Sequence, residues 1–409
     1  MPVPGQAIAI VDPVSAAVPY GAETTAMGLR PIAVMTQEFR TPYIADSFLG
    51  DTFSEIHRHT SVADTLAFLK DRAVAAVVPG AQTALDVTDL FAEGLGLIGN
   101  PVSSIRARTD KRVMKEYWRA HGVACADHME STSLTAVLSW AEAAGYPIVL
   151  KPPASAGASH VYVCTDEREV AGAFRTILHS PDVYDRMSDA VLAEEYLDGD
   201  EYFMNLLHDG TPEAALVSVA RYEKIQRDGH PSIYRTFRSL PLDDPLAQEV
   251  LPYIRSANTA IGVRYGINDT EFKMTSRGPR AIEVNNRLPG AGTPLMIQKC
   301  SGLHTFQDNV RIFLDEYTRP PEYRFQRHYC VCCLINDRPG RVLGHEGAAE
   351  VAKLPSYDGD RMIAKVGADW PVTEDLSTAW GLVRLVHEDP AQLDRDAEAV
   401  HALMRLRVE

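Results

Sequence analysis

Over the first hundred residues, short apolar runs alternate with amphipathic stretches. Residues 7–11 (Ala-Ile-Ala-Ile-Val) form an apolar run stopped by Asp12-Pro13, the pattern of a buried strand and its turn. Residues 20–28 read as a helix ending at a glycine and 31–35 as a second strand, while 64–71 read as a helix and 75–78 as a strand closed by Pro79-Gly80. Strand–helix alternation of this kind predicts an open parallel sheet. The region has no G-x-G-x-x-G, so the pattern gives an α/β lobe without a job.

The texture changes at Ser104. Residues 109–121 form a basic helix opening on Asp110-Lys111, and 134–144 an amphipathic helix ended by Gly145. A strand at 147–151, a loop of small residues at 152–159 and a strand at 161–164 precede a helix at 167–178. Strands at 191–195, 201–208 and 214–221 follow, the last two joined as a hairpin through Asp209-Gly210. Residues 245–261 carry apolar positions at helical spacing, and strands at 267–274 and 280–285 flank a turn at 276–279. Beyond Pro320-Pro321, residues 329–409 mix short strands with a helix at 390–406.

Composition narrows the classes. The chain has 409 residues, enough for several lobes, with 45% apolar and 23% charged residues, as in ordinary globular proteins. No apolar run approaches the roughly 20 residues of a membrane span, and the N-terminus lacks the basic start of a secretion signal. Forty basic against 55 acidic side chains leave a net charge of -15, which argues against nucleic acid as a partner. Six scattered cysteines suggest a reducing, cytoplasmic compartment. The run Tyr329-Cys-Val-Cys-Cys-Leu reads as an apolar strand, because its alternate residues face opposite sides.

Three segments carry chemistry. The strands holding Glu271 and Glu283-Val-Asn285 are joined by a short turn, so they pair antiparallel, and Glu283 and Asn285 share a face. A register bringing Glu271 beside Glu283 gathers two carboxylates and an amide oxygen, a set that magnesium favours together with phosphate oxygens. Lys151 ends an apolar strand and opens Pro-Pro-Ala-Ser-Ala-Gly-Ala-Ser, whose small side chains let backbone N–H groups approach phosphates; a plain hairpin turn accounts for it equally well. The acidic stretch from Glu194 to Glu201 could offer backbone groups to a base edge and Glu201 to ribose, or be only an acidic loop between strands. Arg221, Tyr222, Lys224, Arg227, Tyr234 and Arg235 gather in what reads as a solvated polar loop, with an amino-acid carboxylate contact as the sharper alternative.

In this order, over residues 104–313, the segments resemble the ATP-grasp superfamily. Ile282-Glu-Val-Asn-Asn-Arg-Leu-Pro-Gly-Ala-Gly and the segment 329–409 are most similar to the carboxylate–amine ligase branch, in particular the bacterial L-amino-acid ligases that make dipeptides in antibiotic biosynthesis. The resemblance implies an α/β chain with α+β lobes: an open parallel-sheet domain at 1–104, an ATP-grasp core at 105–320 with a lid at about 130–195, and a C-terminal segment at 321–409 packing on the core. It implies that Lys111 and Lys151 contact ATP, and that Ser155, Ala156, Gly157, Ala158 and Ser159 cover its phosphates. Glu194, Tyr196 and Leu197 correspond to the adenine hinge, Glu201 to the ribose acid, and Glu271, Glu283 and Asn285 to the ligands of Mg2+ (or Mn2+). Arg287 corresponds to the catalytic arginine that holds the acyl-phosphate, and Gly290, Ala291 and Gly292 to the substrate loop. The implied reaction joins an amino acid or related carboxylate to an amine through an acyl-phosphate, releasing ADP and phosphate, in a protein free of membrane and nucleic acid, with a homodimer allowed. Two alternatives stand beside it: a carboxylase working through carboxyphosphate, and a non-catalytic nucleotide-binding subunit. The covering loop carries one glycine where relatives often have more, and His160 directly after it reads as a packing residue.

Overall fold

The computed structural model describes residues 3–155, 157–182, 184–227 and 230–409, without the side chains of residues 42, 43, 226, 227 and 230–232. Strands β1 (Ala7–Val11), β2 (Arg30–Met35), β3 (Glu55–Arg58) and β4 (Ala76–Pro79) form a parallel sheet in the order β3-β2-β1-β4. β1 is buried along its whole length because helices cover both faces, as parallel sheets require.

A second sheet pairs β5 (His128–Ser131), β6 (Ile148–Lys151), β7 (Tyr162–Cys164) and β8 (Val191–Glu195) in the order β5-β8-β6-β7. The helices Leu134–Ala144 and Glu167–His179 close one face, burying Val137, Ala141, Val170 and Ile177 against Ile148 and Leu150.

The largest sheet has eight strands. In chain order its first members are β9 (Asp200–Asp209), β10 (Ala215–Arg227), β11 (His230–Ser239), β12 (Tyr265–Thr275), β13 (Gly278–Asn285) and β14 (His328–Leu334). Of β15 (Gly340–Glu346), β16 (Tyr357–Met362), β17 (Asp369–Trp370), β18 (Gly381–His387) and β19 (Arg405–Val408), β16 and β18 complete it; the order is β13-β12-β9-β10-β11-β14-β18-β16. The C-terminal segment therefore extends the central sheet through β14, β18 and β16. The cysteine-rich run is β14 itself, buried from Tyr329 to Leu334, and its three thiols are free.

Two details depart from the sequence reading. Residues 222–227 and 230–234 are not a polar loop but belong to β10 and β11, with Lys224 opposite Tyr234. The alternation was disguised because Lys224, at an inward position, is charged; it is neutralised there by Glu201 at 2.6 Å. The last helix ends at Leu403 rather than 406, and Arg405–Val408 turns back as β19 to pair with β15.

The parallel sheet and the large sheet share one apolar core. Ile8, Ile10 and Val78 meet Leu207, Val217 and Ile267 there, and the helix Thr305–Phe313 contributes Phe306 and Val310. Asn309 ties the seam, donating to Tyr20 Oη at 2.5 Å and accepting from the Ile267 N–H at 2.8 Å.

Candidate functional site

The helix Lys111–Ala120 begins on Asp110, whose carboxylate accepts from the N–H groups of Arg112 and Val113 at 3.0 and 3.1 Å. Lys111, Met114, Lys115 and Trp118 recur at helical spacing on its buried face. Two lysines one turn apart are thus aimed into the protein, and each meets a carboxylate.

Lys111 Nζ lies 2.8 Å from Glu283 Oε2 and donates to the Ser155 carbonyl at 2.6 Å. Lys115 Nζ lies 3.0 Å from Glu194 Oε1 and donates to the Ile282 carbonyl at 2.9 Å. Lys151, at the end of β6, reaches the other oxygen of Glu194 at 2.9 Å. Burial works against the charge on Glu194, but Lys115 and Lys151 overcome it and hold its pKa down at about 2. Lys115 is pushed down by the same burial, against the pull of Glu194.

The hairpin β12–β13 pairs Glu271 with Glu283 and Asp269 with Asn285, with a register shift after Glu271. Phe272 and Val284 point to the opposite, packed face. On the open face burial raises Glu271 well above the ordinary carboxylate range, and Glu283 and Asp269 add to it by repulsion. Asp269 is also raised by burial, against the nearby Arg287 guanidinium. Burial opposes ionisation of Glu283 too, yet Lys111 and the Asn285 amide, which donates to Oε1 at 2.9 Å, lower its pKa. Tyr222 donates to Glu271 Oε1 at 3.1 Å.

Apart from Lys115, which is buried behind it, these groups line one cavity of about 470 Å3. Of the residues singled out from sequence, it is bordered by Lys111, Lys151, Ser155, Gly157, Ala158, Ser159, Glu194, Tyr196, Leu197, Glu201, Glu271, Glu283, Asn285, Arg287, Gly290 and Ala291. Ala156 lies outside the described residues. Gly292 is not part of the lining; with φ at +77° it caps the helix Thr293–Ser301. His160 is also outside the lining, its ring stacked on Tyr162 with centroids 6.5 Å apart. Arg287 donates to the Leu288 carbonyl at 2.8 Å, a bond that holds the start of the glycine-rich loop.

Sequence reasoning missed four participants. Asp269 stands two residues before Glu271 on the same face, and that period-two spacing was the available signal. Lys115 follows Lys111 by four, the helical equivalent. Lys273 donates to the Leu197 carbonyl at 2.9 Å and lies 4.9 Å from the Tyr196 ring, which fixes the hinge. Leu376, from the C-terminal segment, left no local sign.

The donor set suits a hard cation. Glu271, Glu283 and Asn285 offer oxygen atoms of the kind such a cation takes, and burial, with repulsion from neighbouring carboxylates, raises Glu271 well above the ordinary carboxylate range. Among the described residues no three His, Cys, Asp or Glu side chains converge tightly enough to hold a metal unaided. Magnesium commonly takes one or two carboxylates and completes its shell with phosphate and water.

A four-stranded sheet and an eight-stranded sheet border a cavity of lysines, carboxylates and one arginine, and residues 144–294 match the ATP-grasp domain family. The chain contains an ATP-grasp domain. It is 27% identical over 377 residues to dapdiamide A synthase of Enterobacter agglomerans, a match covering 87% of each chain. It is 23% identical over 228 residues to the L-arginine-specific L-amino acid ligase of Bacillus subtilis, across 53% of this chain and 52% of that one. In fold it matches the crystal structure of the L-amino acid ligase from Bacillus licheniformis, with a TM-score of 0.81 over the full length of both chains at 16% identity. The fold expected from the sequence, an ATP-grasp core behind a parallel-sheet lobe, holds.

Proposed function

We propose that the chain is an ATP-dependent carboxylate–amine ligase that joins amino-acid-like substrates through an acyl-phosphate. The observation that carries this reading is the carboxylate pair Glu271 and Glu283, with Asn285 and Arg287, lining the same cavity as Lys111 and Lys151. The relatives named above are ligases, one of them a dapdiamide synthase, which supports amide formation and a biosynthetic setting.

A carboxylate is a poor electrophile, and phosphoryl transfer gives it a leaving group. Lys111 and Lys151 hold and neutralise the nucleotide phosphates while the backbone of the loop from Ser155 to Ser159 covers them. The hinge at Tyr196 and Leu197 offers main-chain groups to the base, and Glu201 accepts from ribose hydroxyls. Glu271, Glu283 and Asn285 would hold magnesium, which would supply positive charge where two anions approach. Arg287 stabilises the oxyanion as the amine attacks and phosphate departs. Gly290 and Ala291 leave room for the substrate carboxylate beside their N–H groups. Closure of the lid excludes water from the acyl-phosphate.

The partners of this reading are small molecules. No helix among the described residues is long and apolar enough to cross a membrane. The six free cysteines fit a reducing compartment, for which the cytoplasm is our expectation.

The test is a matrix of amino-acid pairs incubated with ATP and magnesium, scored for ADP, phosphate and product mass. The expected result is ADP released in step with a dipeptide-like product. Turnover that requires bicarbonate instead would make the protein a carboxylase. ATP binding without ADP release for any pair would make it a non-catalytic subunit.

A further inference from the structure

We infer that Leu376, carried by the C-terminal segment, sets which substrate side chain the site accepts, and that the substrate it fits is an amino acid with an uncharged, apolar side chain. The inference rests on the ligase reading above and names its substrate class.

The apolar lining of the cavity divides in two. Val149, Val163, Leu197 and Ile282 lie beside Lys151 and the hinge strand. Phe203, Tyr234, Phe237 and Ala291 pack as a separate cluster, and Ala158 of the covering loop and Leu376 close against it. Tyr222 joins the second group to the carboxylates: its hydroxyl meets Glu271, and its ring lies 4.9 Å from Phe203 and 5.1 Å from Phe237. Ala291 belongs to the loop that follows Arg287. The second group therefore borders the carboxylate end of the cavity, beside Glu271 and the loop that follows Arg287.

Lys224, 4.3 Å from the Tyr234 ring, is paired with Glu201. A charged substrate side chain placed against Phe237, Ala291 and Leu376 would lose its hydration with no partner in that wall, whereas an apolar one would replace water with contact.

Leu376 is held in place. Asp375 Oδ1 accepts from the N–H groups of Ser377 and Thr378 at 2.9 and 3.0 Å and from their hydroxyls at 2.7 and 3.0 Å. The Thr378 hydroxyl in turn accepts from the N–H groups of Glu374 and Asp375 at 2.9 and 3.0 Å. Thr373 fastens the base of the loop, its N–H donating to the Asn336 carbonyl at 3.0 Å and its hydroxyl accepting from the Asn336 N–H at 2.9 Å. A side chain presented by so restrained a turn can act as a gauge of size, because the turn does not yield cheaply to a bulkier ligand.

The experiment compares the wild type with Leu376→Trp and Leu376→Ala, measuring kcat/KM by ADP release for glycine, alanine, leucine, phenylalanine, lysine and glutamate in each substrate position. Thermal melts establish that both variants fold, and either variant alone decides the question. In the wild type, leucine or phenylalanine should exceed lysine and glutamate in one position. Leu376→Trp should cut kcat/KM for the large apolar residues by about tenfold or more while sparing glycine and alanine, a contrast in the range that pocket shape alone supplies. Leu376→Ala should move the preference the other way. In both, KM for ATP should stay within about twofold of the wild type, since Leu376 packs on the Phe237 and Ala291 cluster and not on the hinge residues Tyr196 and Leu197. Uniform loss across the panel, unchanged preferences, or a wild type that prefers charged side chains in both positions would overturn the inference while leaving the ligase reading intact. A wild type that releases no ADP with any pair would overturn the ligase reading itself, and the inference with it.

Discussion

Lys115 is fully buried, 3.0 Å from Glu194 and 2.9 Å from the Ile282 carbonyl, so one ammonium joins the lid strand β8 to the core strand β13. That link sits directly behind the cavity. Leu192 and Ala193 precede Glu194 within the lid sheet, and Ile282 precedes Glu283 in the core. Lys115→Met would leave Glu194 with Lys151 alone as its cation. Breaking a buried ion pair by removing one partner costs about 3–5 kcal/mol. Urea unfolding should show a loss of that order, and titration calorimetry should show weaker ATP binding, with Lys115→Arg recovering part of both. Unchanged stability in Lys115→Met would mean the pair has no structural role.

The same carboxylate makes the fold sensitive to acid. Glu194 has its pKa lowered from 4.5 to about 2, so its contribution to stability is complete above 4.5 and disappears as pH falls through 2. The difference corresponds to roughly 3 kcal/mol at neutral pH. Between pH 5 and pH 2.5, chemical denaturation should find the wild type losing stability more steeply than Glu194→Gln, which lacks the titrating group. Parallel curves for the two proteins would assign the acid sensitivity elsewhere.

Glu283 faces Lys111 on one oxygen and Asn285 on the other, opposite Glu271. Glu283→Gln should retain nucleotide binding through the lysines but lose the charge that holds magnesium. Amide formation should fall by about 100-fold or more, in line with the loss of a preorganised electrostatic group. A divalent-ion titration of the activity should then require far higher magnesium for half-maximal rate. Full activity at ordinary magnesium would rule out the metal assignment.

In the proposed reaction, Arg287 lies where negative charge develops as the amine attacks. Arg287→Ala should lower kcat by about 100- to 1000-fold, the usual cost of one oxyanion donor, with a much smaller change in KM for ATP. Rapid-quench measurement of ADP formation separates the two steps: a burst of ADP with slow product places Arg287 at the second step. Equal loss in both would place it at phosphoryl transfer.

The elements that depend on local patterns were readable. Leu134–Ala144 runs between the residues its spacing and Gly145 indicated, and β8 spans the five residues of its apolar-acidic run. The β12–β13 hairpin was readable because its turn is short, which limits the registers available to Glu271 and Glu283. What stayed hidden was set by distant packing. Lys224 on β10 looked solvated because only Glu201, on another strand, makes an inward lysine tolerable. Leu376 reaches the cavity only because β14, β18 and β16 continue the core sheet, a long-range pairing that no window of sequence reports.

The lid is also fastened to the parallel-sheet domain. Asp185 accepts from the N–H groups of Arg40 and Thr41 at 3.0 and 3.3 Å. Gln37 donates to the Tyr184 carbonyl at 2.9 Å and accepts from Arg186 at 3.1 Å, while Tyr184 packs on Val14, Ile44 and Ala81. These contacts hold the element that carries Lys151, the covering loop and Glu194. Each exposed hydrogen bond contributes on the order of 1 kcal/mol, so Asp185→Ala combined with Gln37→Ala should favour lid opening without unfolding the chain. An acyl-phosphate exposed to water hydrolyses, so the ratio of phosphate released to amide formed should rise above that of the wild type. Hydrogen exchange should quicken in β6 and β7 and stay unchanged in β12 and β13. If the ratio stays at the wild-type value while exchange in the lid quickens, the latch shapes motion alone and the covering loop by itself keeps water out.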